Sequence, residues 1–235
     1  MKRLCLYVFF AAFFLNMPAG IAQHPEQAAR EAYFLQAHKF SNIFSGRIPE
    51  SYPITFTVSY YLYSTRFIEG SLYYGGQYYP KLLLNINAHK DELYVLSPDY
   101  RTMVLLDPGL VQDLKIGVED FVYYARGNQW GLPAGYYEVL QQAPLCLLKH
   151  TKRNYLEEVD RSTRVIDRYF EAVERYYLIK DGVVYPLTGR KSLLKTLSDH
   201  KRELSRWTAQ RKLKDDAEGF YRQSVAYYVS LLKQD

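Results

Sequence analysis

The sequence predicts an α+β protein. A tyrosine-rich antiparallel β meander, barrel- or sandwich-like, is preceded by a short helix and followed by a helical hairpin packed on it. Three observations carry this expectation. Short β-prone runs recur between residues 54 and 187, separated by turn-forming dipeptides and mostly without helical periodicity between them. The chain holds 24 tyrosines, and six doublets of them fall in that stretch. Beyond residue 189 the apolar side chains change to helical spacing. The expected division is therefore 1–22 as an export signal, 23–46 as a helical segment, 47–188 as the β domain and 189–235 as the helical region.

The N-terminus has the three parts of a cleavable signal in order. Lys2 and Arg3 give the positive start, Leu4 to Leu15 form an uncharged apolar run, and Gly20-Ile21-Ala22 supplies the small-x-small exit. The run is too short for the roughly 20 residues a bilayer span needs, and no later run is long enough either. Cys5 stands at the front of the run, where it cannot become a lipid-modified first residue. The expectation is an exported chain, periplasmic, outer-membrane associated or secreted, with no transmembrane segment after cleavage.

After the signal, Ala29, Ala32, Tyr33, Ala37, Phe40 and Phe44 recur at helical spacing, and Gly46 can end that helix. Gly75-Gly76 then joins Gly70-Ser71-Leu72-Tyr73-Tyr74 to Gln77-Tyr78-Tyr79, a two-residue hairpin signal. Ser97-Pro98-Asp99 separates a run at 92–96 from one at 101–106, and Asp107-Pro108-Gly109 turns the chain again. Asp181-Gly182 joins Tyr176-Tyr177-Leu178-Ile179 to Val183-Val184-Tyr185. In the tail, Leu193, Leu194, Leu197, Leu204 and Trp207 share one side of a helical wheel. A second helix carries Ala217, Phe220, Tyr221, Val225, Tyr228, Val229 and Leu232, with Asp215 and Asp216 at its positive end.

Successive side chains of a strand point to opposite faces, so each tyrosine doublet places one ring on each side of the sheet. A sheet with one wet face would alternate apolar with polar instead. Either both faces are covered or aromatic surface is left for a ligand or partner. Trp130, in the glycine-bounded loop Gly127-Asn128-Gln129-Trp130-Gly131, and Tyr136 are the candidate ligand-binding residues, as stacking platforms for a sugar or small molecule.

No constellation points to a reaction. His24, His38, His89, His150 and His200 are scattered without a metal-ligand spacing, and Gly70-Ser71-Leu72-Tyr73 is not a nucleophile elbow. The sequence names no catalytic, cofactor or metal residue. Glu157-Glu158 and Asp215-Asp216 read as solvated neighbours, although a hydrolase built from distant carboxylates stays open. Loss of the signal leaves Cys146 as the sole cysteine, in an apolar strand-like run that suits a buried structural thiol. It also lowers the formal charge from +5 to +3, which argues against a nucleic-acid partner. The basic run at 149–153 reads as a solvated face or an anion contact, and so do Lys201, Arg202 and Arg206, the candidate basic surface.

Several pieces recur together: Gly70-Ser71-Leu72-Tyr73-Tyr74-Gly75-Gly76-Gln77-Tyr78-Tyr79, Asp91-Glu92-Leu93, Gly135-Tyr136-Tyr137-Glu138-Val139-Leu140 and Lys180-Asp181-Gly182-Val183. Their order resembles a group of uncharacterised exported proteins of Bacteroidetes-type Gram-negative bacteria, over most of 41–232. The resemblance implies a cell-envelope setting and transfers no functional residue. The expected function is a non-enzymatic envelope module that binds an envelope protein or the envelope surface. The alternative is a glycan or small-ligand binding module using Tyr and Trp130.

Overall fold

The computed structural model describes residues 42–162, 164–211 and 216–233. The export signal and residues 25–41 of the expected first helix lie outside them. Of that helix, Asn42–Phe44 is described, and it is a single 3-10 turn with Ile43 buried.

Among the described residues, ten strands make one antiparallel sheet: β1 (Ile68–Tyr74), β2 (Gln77–Asn87), β3 (Glu92–Leu96), β4 (Met103–Leu105), β5 (Val111–Ile116), β6 (Glu119–Tyr124), β7 (Gly135–Gln141), β8 (Cys146–Val159), β9 (Ile166–Lys180) and β10 (Val183–Leu187). Their order is β10-β9-β8-β7-β6-β5-β1-β2-β3-β4. The hairpins expected at Gly75-Gly76 and Asp181-Gly182 are present, and both turns hold left-handed residues that glycine adopts at least cost.

The plain meander is corrected at one place. Asp107-Pro108-Gly109 does not fold β5 back on β4; it carries the chain across to the free edge of β1. Pro108 cannot donate to a ladder, and the Asp107 carboxylate accepts the Gly109 N–H at 2.9 Å, so a 3-10 turn forms. The Tyr74 hydroxyl accepts the Asp107 N–H at 3.3 Å, and Gly75 N–H reaches Leu110 C=O at 3.0 Å.

The ladder is open, with β10 and β4 at its ends, so it is neither a closed barrel nor two stacked sheets. It nevertheless folds back on itself. Arg153 N–H on β8 donates to Ala88 C=O after β2 at 2.9 Å, although β7, β6, β5 and β1 lie between those strands in the ladder. The segment before β1 closes the rest of the gap. Thr57 N–H donates to Arg168 C=O and Phe170 N–H to Val58 C=O, at 2.9 and 3.2 Å, while Leu62 N–H and Ala88 N–H link that segment to β2 at 2.8 and 3.0 Å. Tyr52, Phe56, Tyr60 and Phe170 fill the seam with ring contacts.

The tyrosine doublets split as the pleat requires. Tyr136 joins the cluster inside the rolled strands with Leu72, Leu84, Ile86 and Val104, whereas Tyr137 joins a separate cluster with Leu148 and Leu132 on the other face. Tyr176 and Tyr177 divide in the same way. The pair on β1 and β2 leaves one partner of each doublet outside, Tyr73 against Tyr78.

The tail covers the sheet. Here α1 (Arg190–Thr196), α2 (Lys201–Ala209) and α3 (Ala217–Leu232) pack Leu193, Leu197, Leu204, Phe220, Tyr221, Val225 and Tyr228 against Leu147, Tyr176 and Leu178. The expected hairpin is therefore present with its first arm broken. Leu197 leaves helical geometry at φ −102° and ψ 51°, which lets both Leu193 and Leu204 reach the core across a 3-10 turn. Asp216 caps α3 through its carboxylate, which accepts the Gly219 N–H at 2.7 Å.

Glu138 and Lys149 sit opposite one another on β7 and β8, between the cluster inside the rolled strands and the cluster under the helices. Lys149 Nζ lies 2.6 Å from a carboxylate oxygen of Glu138 and of Glu218, and Arg222 reaches Glu138 at 3.1 Å. The run at 149–153 is thus not a solvated basic face. Lys149 and Lys152 are ion-paired, His150 bonds Asp91, and Arg153 donates to Phe170 C=O at 3.3 Å. Sequence alone could not show these partners, since they lie from 11 residues away, as Glu138 does, to 69 away, as Glu218 does.

This arrangement fixes how stability should respond to pH and substitution. Burial works against the Lys149 ammonium, yet its bonds to Glu138 and Glu218 outweigh that and hold its pKa above the ordinary value. Burial likewise opposes ionisation of Glu218, and Lys149 and Arg222 overcome it and leave the pKa lowered. The Glu218 contribution is present above the ordinary 4.5 and is lost as pH falls through the lowered value. Burial raises Tyr61, Tyr63, Tyr94, Tyr136 and Tyr176 above the ordinary 10.0, so they stabilise the fold below that pH and cease to do so as it rises towards their folded values. Urea midpoints should fall outside this window, and phenolate absorbance should rise with unfolding; native phenols titrating freely near 10 would contradict the burial. Lys149→Met should cost about 2–3 kcal/mol in the same assay.

Candidate functional site

A pocket of about 530 Å³ opens where the rolled strands leave their interior uncovered. Its apolar wall is Leu93 of β3, Leu105 of β4 and Leu106, faced by the rings of Tyr74, Tyr123 and Tyr136 from β1, β6 and β7. Strand alternation explains the tyrosine wall. Tyr123 and Tyr136 are cross-strand partners on one face, with ring centroids 4.9 Å apart and planes inclined at 52°. Arg47, Lys90, Asp91, Glu92 and Asp107 supply its charged part.

Asp91 fixes the geometry here. It follows β2 in a left-handed turn, φ 56°, a conformation that aspartate tolerates better than most residues. Its carboxylate accepts from Lys152 Nζ and lies 3.0 Å from His150 Nε2, so two residues of β8 hold the β2–β3 turn. Gly135 makes room for it. A Cβ at that position would come within 2.7 Å of both Asp91 Oδ1 and His150 Nε2. His150 stacks on Tyr137 at 4.5 Å and 20°, is almost fully buried, and does not line the pocket. Its coupling to Asp91 therefore fastens the turn and gives a ligand no acid–base group.

Among the tyrosines that line the pocket, Tyr136 has a buried phenol. The residue is 4% exposed, and its hydroxyl has no hydrogen-bond partner among the described residues. Burial, reinforced by Tyr123 and Asp107, raises its pKa, so the hydroxyl stays protonated and can donate. Arg47 holds its place through the backbone, its C=O accepting the Leu105 N–H at 2.8 Å, and its guanidinium has no ion pair among the described residues. Lys90 is committed to Glu50 at 3.5 Å and lies over the Tyr52 ring.

The structure separates the two ligand-binding candidates. Tyr136 lines the pocket, whereas Trp130 packs with Leu132, Tyr137 and Leu148 on the opposite face of β7. Trp130 is held there by its loop, in which the Asn128 side chain accepts from Trp130 and Leu132 N–H and donates to Ala125 and Leu132 C=O. Lys201, Arg202 and Arg206 do fall together, around one open cleft on α2. Cys146 is half-buried, and burial raises its thiol pKa. Among the described residues no three metal-ligating side chains converge, and no helix is long and apolar enough to cross a membrane. Sequence reasoning missed Tyr74, Tyr123 and Arg47; both tyrosines stand in doublets, but only the roll of the sheet tells which ring of each faces inward.

No family model, curated protein or solved structure matches the chain.

A buried hydroxyl without a partner costs free energy that phenylalanine would not. Tyr136→Phe should therefore stabilise the ligand-free protein by about 1 kcal/mol in urea unfolding. A less stable variant would show that the hydroxyl is satisfied.

Proposed function

We propose that this chain is an exported binding module of the cell envelope, whose tyrosine-walled pocket holds a small amphiphilic molecule. The observation that carries the reading is the pocket itself, about 530 Å³, walled on one side by leucines and the Tyr74, Tyr123 and Tyr136 rings and on the other by Arg47, Lys90, Asp91, Glu92 and Asp107. A concave site of a few hundred Å³ that sets apolar and aromatic walls against polar groups suits a small amphiphilic ligand. The apolar body of the ligand lies between Leu93, Leu106 and the Tyr74 and Tyr123 rings, with its polar end toward Arg47. Arg47 favours a ligand whose polar end is anionic. The signal-like N-terminus supports the envelope setting.

A second reading rests on a different observation. Tyr73 and Tyr78 stand exposed on the outer side of the first hairpin with centroids 5.1 Å apart, a surface on which a sugar ring could stack.

Anilinonaphthalene sulfonate, an anionic aromatic probe, tests the pocket. The mature chain should bind one equivalent with enhanced fluorescence while its near-ultraviolet circular dichroism stays native. Arg47→Glu and Tyr123→Ala should each weaken binding about tenfold or more, a loss of about 1.4 kcal/mol, and Trp130→Ala should leave it unchanged. Equal binding by all three variants would place the probe elsewhere and remove the reading.

A further inference from the structure

The charge of this chain is concentrated in one place. Residues 190–211 contain seven lysines and arginines against two carboxylates, an excess equal to the formal +5 of the whole chain. The remainder is balanced. Three of those nine charges are engaged internally. Arg190 donates to Thr208 and to Ser205 C=O at 2.9 and 2.7 Å, Arg211 lies on the Trp207 ring at 3.3 Å, and Asp199 bonds Lys180 and Tyr228. Five cations are left, Lys191, Lys195, Lys201, Arg202 and Arg206, all exposed and without an ion pair among the described residues. Glu203 is the one carboxylate left among them.

These cations border two adjoining open clefts on the outer side of α1 and α2. One, of about 570 Å³, places Lys191, Lys195 and Lys201 around the half-buried Leu194. The other, of about 650 Å³, is bordered by Lys201, Arg202 and Arg206, and Ser198 and Lys201 belong to both. The helices are firmly seated beneath through Leu193, Leu197 and Leu204, so the array is held as a rigid face. Three of the five are lysines, mobile point charges that respond to a field of negative charge; a site built for a single phosphate would favour the arginine fork. Four to eight such cations on a helical surface match the attraction of an anionic leaflet.

We propose that the α1–α2 face docks the protein on a bilayer rich in anionic phospholipid, with Leu194 meeting the headgroup layer between the lysines. The inference is independent of the pocket, which lies on other elements. Co-sedimentation of the mature chain with phosphatidylglycerol vesicles should show binding that weakens steeply with salt, and none to phosphatidylcholine vesicles. Each basic side chain near such a surface contributes roughly fivefold, so Lys195→Gln/Lys201→Gln/Arg206→Gln should lower binding on the order of 100-fold. Lys115→Gln, which removes a cation on β5 that borders neither cleft, should leave binding unchanged, and circular dichroism of the triple variant should match the parent. The proposal fails if phosphatidylcholine vesicles bind as well, if the triple variant binds like the parent, or if inorganic phosphate at matched ionic strength abolishes binding where chloride does not. That last result would instead make the clefts a soluble-phosphate site.

Discussion

Asp91 joins parts of the sheet that the ladder keeps far apart. With β7, β6, β5 and β1 between them, β8 and β2 would have no contact in a flat sheet. The carboxylate at the β2–β3 turn receives His150 and Lys152 of β8, and the backbone bond from Arg153 to Ala88 runs beside it. An acceptor shared by a lysine and an imidazole is well satisfied even where little water reaches it. The roll that results encloses the cluster around Leu84 and Tyr136, and it turns the rings of β1, β6 and β7 toward the leucines of β3 and β4. Without that tie the pocket would lose the wall that Lys90, Asp91 and Glu92 provide. The restriction of Gly135 follows from the same tie, because only a residue without Cβ lets the carboxylate approach.

The three apolar clusters show why so many tyrosines are compatible with one sheet. A strand buried on both faces needs large side chains at consecutive positions, and tyrosine offers ring area together with a hydroxyl that can be placed near a carboxylate or a carbonyl. Tyr94 donates to Glu92 at 2.6 Å, Tyr176 to Glu174 at 2.6 Å and Tyr137 to Pro133 C=O at 2.8 Å. In each case the ring is buried while the oxygen finds a local acceptor, two to four residues away. Tyr136 and Tyr63 depart from this habit, since neither buried hydroxyl has a partner among the described residues.

Local grammar made much of the architecture legible, and distance hid the rest. The hairpin turns, the alternation of the tyrosines and the apolar stripes of the tail could be read from neighbours in the chain. The covering of the sheet by the tail followed from Leu193, Leu204, Phe220 and Tyr228, whose burial no isolated helix could achieve. The strand order could not be read, because the turn at Asp107-Pro108-Gly109 has the same local appearance whether it returns to β4 or crosses to β1. Nor could the fate of Lys149, His150 and Lys152, whose partners Glu138, Asp91 and Glu218 are set by pairing register and roll. The site was half visible for the same reason. A doublet announces that one ring faces inward, but only the curvature of the sheet says which inward rings meet.

That doublet habit leaves a difficulty for the folding chain, and the buried ion pair resolves it. A strand slipped by one residue normally exchanges its apolar face for its polar one, and that penalty selects the correct register. Tyr136-Tyr137 and Tyr123-Tyr124 blunt the penalty, since a slip between β6 and β7 merely exchanges one phenol for another. The discriminating mark must then come from a residue that has no duplicate beside it. Glu138 is such a residue. Shifted by one place it would turn away from Lys149 and Arg222 and carry an uncompensated charge to the face of Leu132 and Leu148. The carboxylate thus works as an address label on β7: its neighbours supply the cohesion, and it supplies the instruction about where the strand belongs.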